Sequence, residues 1–255
     1  MNIYKSKSLL TFNNAKTIKS LKLGMHTYIM YLAPFTQNAT GKNVCSHASK
    51  GCVEACLFGS GFGGMYTTVE QGRINKTNYF LAERQNFVNQ LFKEIASKVK
   101  KHAKNDEKLC VRLNGTSDIA WEKFKVKDGK SLIELFPDVQ FYDYTKNYLR
   151  FGRVLPANYH LTFSRSEKND DKVDELLSQG HNVAVVFDEL PETYKGYKVI
   201  NGDESDMRFK DEKNVIVGLK YKKLTGKGAD NKKAFESGFA LKIENLEEEM
   251  VAAAA

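Results

Sequence analysis

The stretch NVCSHASKGCVEACLFGSGFGG holds three of the chain's four cysteines, Cys45, Cys52 and Cys56, at spacing C-x6-C-x3-C, and runs straight into glycines. Thiolates are ligands for soft and borderline metals. The residues among them, Ser46, His47, Ser49, Lys50 and Glu54, are too polar for a packing cluster. The trio therefore reads as metal-ligating. Two centres fit. A structural zinc wants a fourth ligand, which His47 can supply, although zinc ligand pairs are usually closer in sequence than the first gap here. An iron-sulfur cluster needs thiolates and tolerates varied spacing, and three cysteines leave one iron of a 4Fe-4S cluster open. A disulfide framework is disfavoured by the low cysteine count and by an N-terminus without the apolar core of a secretory signal, which together point to a reducing cytoplasm. The fourth cysteine, Cys110, lies within an apolar run and reads as core.

Other residues suggest other chemistry. Asp118, Asp143, Asp203 and Asp206 would serve a divalent-metal-dependent nuclease or hydrolase if they met in space. The segment FYDYTKNYLRFGR interleaves aromatic and basic residues as single-strand nucleic-acid binders do, and its alternation equally suits a strand with one face in the core. Lys plus Arg exceed Asp plus Glu by 39 to 31, a net charge of +8 that favours an anionic small molecule or a nucleic acid as partner. The glycines of GSGFGG do not sit between a strand and a helix as a phosphate loop requires, so they read as a flexible loop.

The elements that must position these groups follow from hydrophobic period. Residues 26–34, HTYIMYLAP, form a strand that ends at a proline. From Thr67 to His102 the apolar residues Phe80, Phe87, Leu91, Ile95 and Val99 recur at helical spacing, as one long helix or two consecutive ones. Five short apolar runs follow, KLCVRLNGTSD, VQFYDYTK, YHLTFSRSE, NVAVVFDE and NVIVGLKYK, each a strand with a polar end. DDKVDELLSQG is a short helix between two of them, and residues 188–213 are mostly loop with one short strand. The expected fold class is α/β, a six-stranded, mostly parallel sheet arranged as a β/α partial barrel or doubly wound, with the polar strand ends on one rim. Residues 1–250 form a single domain, and 251–255 read as a disordered or artificial tail. No window is apolar enough to span a membrane.

The motifs CSHASKGCVEACL, VRLNGTSDIAWE, FYDYTK, YHLTFSRSE, VAVVF and INGDESDMR resemble the phage and plasmid family called gene product eighty-eight, over roughly Cys45 to Leu219. A phage origin implies the host cytoplasm. That resemblance names no reaction. A three-cysteine loop directly after the first strand of a β/α partial barrel more distantly resembles the radical S-adenosylmethionine enzymes. There such a loop holds a 4Fe-4S cluster whose open iron binds the cofactor's amino and carboxylate groups. The usual spacing there is C-x3-C-x2-C with an aromatic before the last cysteine, where this chain has Ala55. The resemblance implies that Asn114, Gly115, Thr116, Ser117 and Asp118 hold the amino group of S-adenosylmethionine, and that Ser164 and Arg165 face its carboxylate or ribose. It further implies that Asp143, Tyr144, Lys146, Asp203, Asp206 and Arg208 face substrate or position the cofactor. The turn at 114–118 equally suits a cap for a helix beginning near Ile119.

Overall fold

The computed structural model describes residues 4–35, 37–56, 59, 66–225 and 230–246. The tail at 251–255 and all of GSGFGG except Gly59 lie outside the described residues. In chain order the elements begin with β1 (Leu10–Thr11), α1 (Ala15–Lys22), β2 (Met25–Met30), α2 (Lys50–Glu54), α3 (Thr67–Ala82), α4 (Arg84–Ala103) and β3 (Lys108–Arg112). A small hairpin, β4 (Lys125–Lys127) and β5 (Lys130–Ser131), precedes α5 (Leu132–Leu135), β6 (Gln140–Thr145), β7 (Tyr159–Ser164), α6 (Val173–Ser178) and β8 (Val183–Phe187). The chain continues through β9 (Thr193–Tyr194), β10 (Tyr197–Asn201), β11 (Ile216–Lys220), α7 (Lys233–Glu236) and β12 (Ala240–Leu241).

All six apolar runs form strands, but the main sheet has ten, in the order β1-β2-β3-β6-β7-β8-β11-β10-β9, with β12 also on β8. The count of six was too low for two reasons. Strands β1, β9 and β12 are two residues long, below the length at which alternation can be read, and β10 is the short strand expected within 188–213, which joins the same sheet. From β2 through β11 neighbouring strands are parallel. The six core strands follow chain order with no reversal between them, so the switch point of a doubly wound sheet is missing there. The antiparallel strands β1 and β9 are the two edges, and the sheet is open.

The long amphipathic pattern is two helices, α3 and α4, broken at Glu83, whose φ of −127° and ψ of 53° leave the helical region. Their apolar residues cover one face of the sheet. Phe80, Phe87, Leu91 and Ile95 join Tyr28, Met30, Val111, Leu113, Phe141 and Leu161 in the largest core cluster. Helix α6 continues that layer over Phe163, Val183, Val185, Phe187 and Ile216. Because strand residues alternate between faces, the opposite face carries Cys110 and Arg112 from β3, Tyr142 and Tyr144 from β6, and His160, Thr162 and Ser164 from β7. It is partly covered by the segment between β10 and β11, with Met207 packing on Cys110, Met25 and Tyr142. No described helix is long and apolar enough to cross a membrane.

Phe87 is fully buried, with the Tyr79 and Phe80 rings edge-on at 5.4 and 5.3 Å. Phe87→Ala should cost about 3–5 kcal/mol in urea unfolding. A loss under about 1 kcal/mol would show that this helix pair does not hold the sheet.

Candidate functional site

The rim after β3 is built by the turn at 114–118, and its side chains are engaged within the protein. Asn114 donates its amide to Asp143 Oδ1 at 2.7 Å and its Nδ2 to the Ile119 carbonyl and Asp143 Oδ2 at 2.9 and 3.2 Å. Its Oδ1 accepts from Ser117 Oγ, the Ile119 amide and Trp121 Nε1. Gly115 donates to the Met30 carbonyl at 2.9 Å. A Cβ at Gly115 would lie 2.7 Å from that oxygen and 2.7 Å from the Tyr31 ring, so only glycine lets β2 and β3 approach here. Thr116 Oγ1 donates to the Leu32 carbonyl. Asp118 donates its amide to the Val44 carbonyl and accepts from the Lys146 amide and Arg150. No α-helix starts at Ile119; a single 3-10 turn, Trp121–Lys123, follows instead. The turn joins β2, the cysteine loop and β6.

Asp143 and Tyr144 point to opposite faces because they are adjacent on a strand. Asp143 also accepts from Tyr159 OH at 2.9 Å. Burial pushes its carboxyl up to about 7, against the opposing pull of Arg112 and the Asn114 amide.

The cysteine loop is anchored at three places. Ser49 Oγ accepts from the Cys52 amide at 3.1 Å and caps α2. Glu167, just beyond β7, accepts from Ser49 Oγ at 2.7 Å and from the Gly51 amide at 2.8 Å, putting a carboxylate at the helix start. Gly51 abuts the segment after α7: a Cβ there would lie 2.7 Å from Phe239 Cβ. Cys45 Sγ donates to the Thr116 carbonyl at 3.6 Å, which fixes the loop against the rim turn. Burial pushes the Cys45 thiol up to about 12, and Cys56 and Cys52 both lie close enough to add to that shift. No disulfide joins these cysteines. Exposed His47 contacts Ser46 Oγ through Nδ1 at 3.0 Å. Among the described residues one set of three or more His, Cys, Asp or Glu side chains has all its ligand atoms within 4.8 Å of one another, and it is His26, His102 and Glu107.

Below the loop lies the polar face of the sheet. Arg73 of α3 stacks over the Tyr31 ring at 5.0 Å, and its charge reaches Cys56. Tyr31 in turn feels Arg112 and Asp206. Arg112 is buried and pairs with Asp206 at 2.9 and 3.1 Å, with its guanidinium 4.8 Å over the Tyr144 ring. Lys16 and the Tyr142 hydroxyl also reach Asp206, each at 3.2 Å. Despite the desolvation cost, these partners hold the Asp206 carboxyl down to about 2. Lys146 Nζ donates to Ser164 Oγ at 2.7 Å and lies 5.3 Å from the Phe239 ring, with no carboxylate among these partners. On this face Arg112 Nε, His160 Nε2, Thr162 Oγ1 and Arg208 Nη1 are buried without a hydrogen-bond partner.

Several residues expected at the site are engaged within the protein. Arg165 does not face the open rim: it is buried, pairs with Asp170 at 2.7 Å and donates to the Gly238 and Phe239 carbonyls. Asp206 is bound to Arg112 and Lys16, and Arg208 is buried beside Asp211 and the Ser205 carbonyl. Asp203 pairs with Lys222 at 2.9 Å and accepts from the Lys220 amide at 3.0 Å. Asp118, Asp203 and Asp206 each pair with a different cation, Asp143 is held by Asn114 and Tyr159, and among the described residues the four form no common group. In FYDYTKNYLRFGR, Phe141, Tyr142 and Arg150 are buried, and Tyr148 and Leu149 are exposed. That stretch is mainly a core strand and the turn after it. Sequence reasoning missed Arg73, Tyr31, Thr162 and Glu167. Arg112 had a legible signal, a guanidinium within the otherwise apolar run LCVRL.

Fold and site together define an α/β protein with an open, mostly parallel sheet, whose rim carries a three-cysteine loop above a cationic, hydrogen-bonding face. The chain belongs to the gene product 88 family, whose sequence profile matches residues 8–239. The match runs from just before β1 to the residue before β12 and includes every rim residue described above. No curated protein and no solved structure matches the chain.

Gly115→Ala should force β2 and the rim turn apart and cost about 1–3 kcal/mol in denaturant unfolding; an unchanged midpoint would refute the close approach. Asp143 Cγ should titrate near 7 by carbon NMR, against an ordinary value of 3.8. A folded-state value above the unfolded one means that this group's contribution to stability is fully present below about pH 4 and is lost as pH rises through 7. Asp143→Asn should flatten that decline. A wild-type midpoint near 4 would refute the buried environment.

Proposed function

We propose that the chain is an iron-sulfur protein of radical S-adenosylmethionine type, acting on an anionic substrate. The observation that carries this reading is the contiguity of the three cysteines with the cationic face of the sheet, through Arg73 and Tyr31. The cysteine trio fits a cluster better than one zinc ion. A tetrahedral zinc needs a fourth ligand beside three thiolates, whereas a 4Fe-4S cubane takes three thiolates and leaves one iron open.

Cys45, Cys52 and Cys56 would hold the cluster, leaving one iron for S-adenosylmethionine. When bound, the cluster supplies single electrons to a ligand at that open position. The chain's own groups bind and orient. Arg73, whose charge reaches Cys56, and Lys146, beside Phe239, are cations suited to a carboxylate or phosphate. Ser164 and Thr162 offer hydroxyls on the same face, and the orphaned Arg112 Nε and Arg208 Nη1 are donors awaiting an acceptor. The run of six parallel strands in chain order supports a partial-barrel reading, in which that face is the inner wall and the rim its mouth. The 114–118 turn acts as a positioning element in this reading, because its polar atoms already bind protein.

Protein purified without oxygen and reconstituted with iron and sulfide should be brown and hold the two in equal amounts. Cys45→Ala, Cys52→Ala and Cys56→Ala should each lose the colour, and Cys110→Ala should keep it. Colourless protein that takes up zinc alone, or iron retained when all three cysteines are replaced, would overturn the reading. Calorimetry of the loaded protein with S-adenosylmethionine should give saturable binding that the cluster-free protein lacks.

A further inference from the structure

At the opposite end of the sheet, where the parallel strands begin, three other metal-binding side chains meet. His26 lies near the start of β2, His102 in the last turn of α4 and Glu107 immediately before β3. His102 Nδ1 is 2.7 Å from Glu107 Oε2, and His26 Nε2 is 3.5 Å from Glu107 Oε1. The imidazole centroids are 4.3 Å apart, and all ligand atoms of the set lie within 4.8 Å of one another. Zinc bonds of about 2.0–2.2 Å at tetrahedral angles place ligand atoms about 3.3–3.6 Å apart, so small side-chain shifts suffice.

The surroundings hold these groups in place. The His102 carbonyl accepts from the amides of both Asn105 and Glu107, which folds the turn back on its own imidazole, and Asp106 adopts φ +53° to allow it. The Tyr28 hydroxyl lies 3.0 Å from His102 Nε2, the nitrogen facing away from Glu107. Metal-binding imidazoles have such an outer partner, which fixes the tautomer. His26 Nδ1 is buried without a hydrogen-bond partner, so the Nε2 side toward Glu107 is that ring's polar outlet. Phe12 stacks on His26 and Tyr28 and shields one flank. The side chains of His26 and Glu107 remain 19% and 32% exposed, which leaves a path from solvent.

We propose that His26, His102 and Glu107 bind a divalent transition ion of the zinc class, with water completing its coordination. Two imidazoles and one carboxylate form a borderline donor set that suits zinc, cobalt or nickel rather than calcium or magnesium. The ion would tie the end of α4 to the first two parallel strands. Lys98, 5.2 Å from the Tyr28 ring centroid, and exposed Lys108 oppose added positive charge, so binding depends on the Glu107 carboxylate.

Cobalt(II) titration tests this in the full chain carrying Cys45→Ser, Cys52→Ser and Cys56→Ser, which removes the competing thiolates. The expected result is saturation at one ion per chain, with visible d–d absorption, no thiolate charge-transfer band and displacement by zinc. His26→Gln and Glu107→Gln, both at partly exposed positions, should each weaken binding at least about tenfold, and Tyr28→Phe by about tenfold. Zinc should raise the thermal midpoint of the parent and leave those of the two ligand variants unchanged. Absence of saturable binding, or equal affinity in the parent and both ligand variants, overturns the site.

Discussion

A guanidinium buried at the middle of a sheet face dictates much of what surrounds it. Arg112 stands on β3 with Cys110 below it and the 114–118 turn above, and so little of it is exposed that its charge needs a partner inside the protein. Asp206 provides that partner, which requires the segment between β10 and β11 to cross the sheet face. Lys16 draws α1 to the same carboxylate, and the Tyr142 hydroxyl satisfies it further. The pair therefore closes the lower part of this face with groups from both ends of the chain. Arg112 Nε and Arg208 Nη1 are left without a protein acceptor there, and Thr162 Oγ1, higher on the same face, also has no partner.

The long helices α3 and α4 cover the other face, and this asymmetry separates the two kinds of chemistry. On the helix side the rim network of Asn114, Asp143, Tyr159 and Arg150 is saturated: Arg150 bridges Glu122, Asp118 and the Tyr159 hydroxyl. A buried network with every member paired is rigid and gives the rim a fixed shape. On the opposite side the network is incomplete, and the incomplete side is the one beneath the cysteines. A ligand that supplied acceptors there would complete it, whereas a ligand at the saturated turn would have to displace protein hydrogen bonds.

The long strands and helices were legible because their apolar residues repeat with a period set by the backbone: four-residue steps for α3 and α4, continuous runs for buried parallel strands. Strand ends were also legible, which is why Asn114, Asp118, Lys146 and Ser164 were placed on one rim. Their roles were not. Whether a polar side chain faces a ligand or its own backbone depends on partners such as Ile119, Val44 and Gly238, and on which face of the sheet each residue occupies. Asp143 and Tyr144 are neighbours in the chain and lie on opposite sides of it. Nor could the histidine and glutamate at the other end be joined by any local pattern, since His26 and His102 are separated by the whole cysteine loop and both long helices.

The spacing of the cysteines follows from how their loop is anchored. Strands β7 and β8 pair only at Phe163–Val183 and Ser164–Ala184, and then β12 takes over beside Val186 and Phe187. That divergence admits the C-terminal segment to the rim, where Arg165 holds its Gly238 and Phe239 carbonyls and Gly51 packs directly on Phe239. Glu167, just beyond β7, grips the start of α2, and Val44 and Cys45 are tied to Asp118 and Thr116. The loop is thus fixed to the scaffold on both sides of its first long gap. With its attachment points set by tertiary contacts, the number of residues between Cys45 and Cys52 measures the path between two anchors. It need not follow the ligand spacing of a loop that must shape itself around a metal unaided.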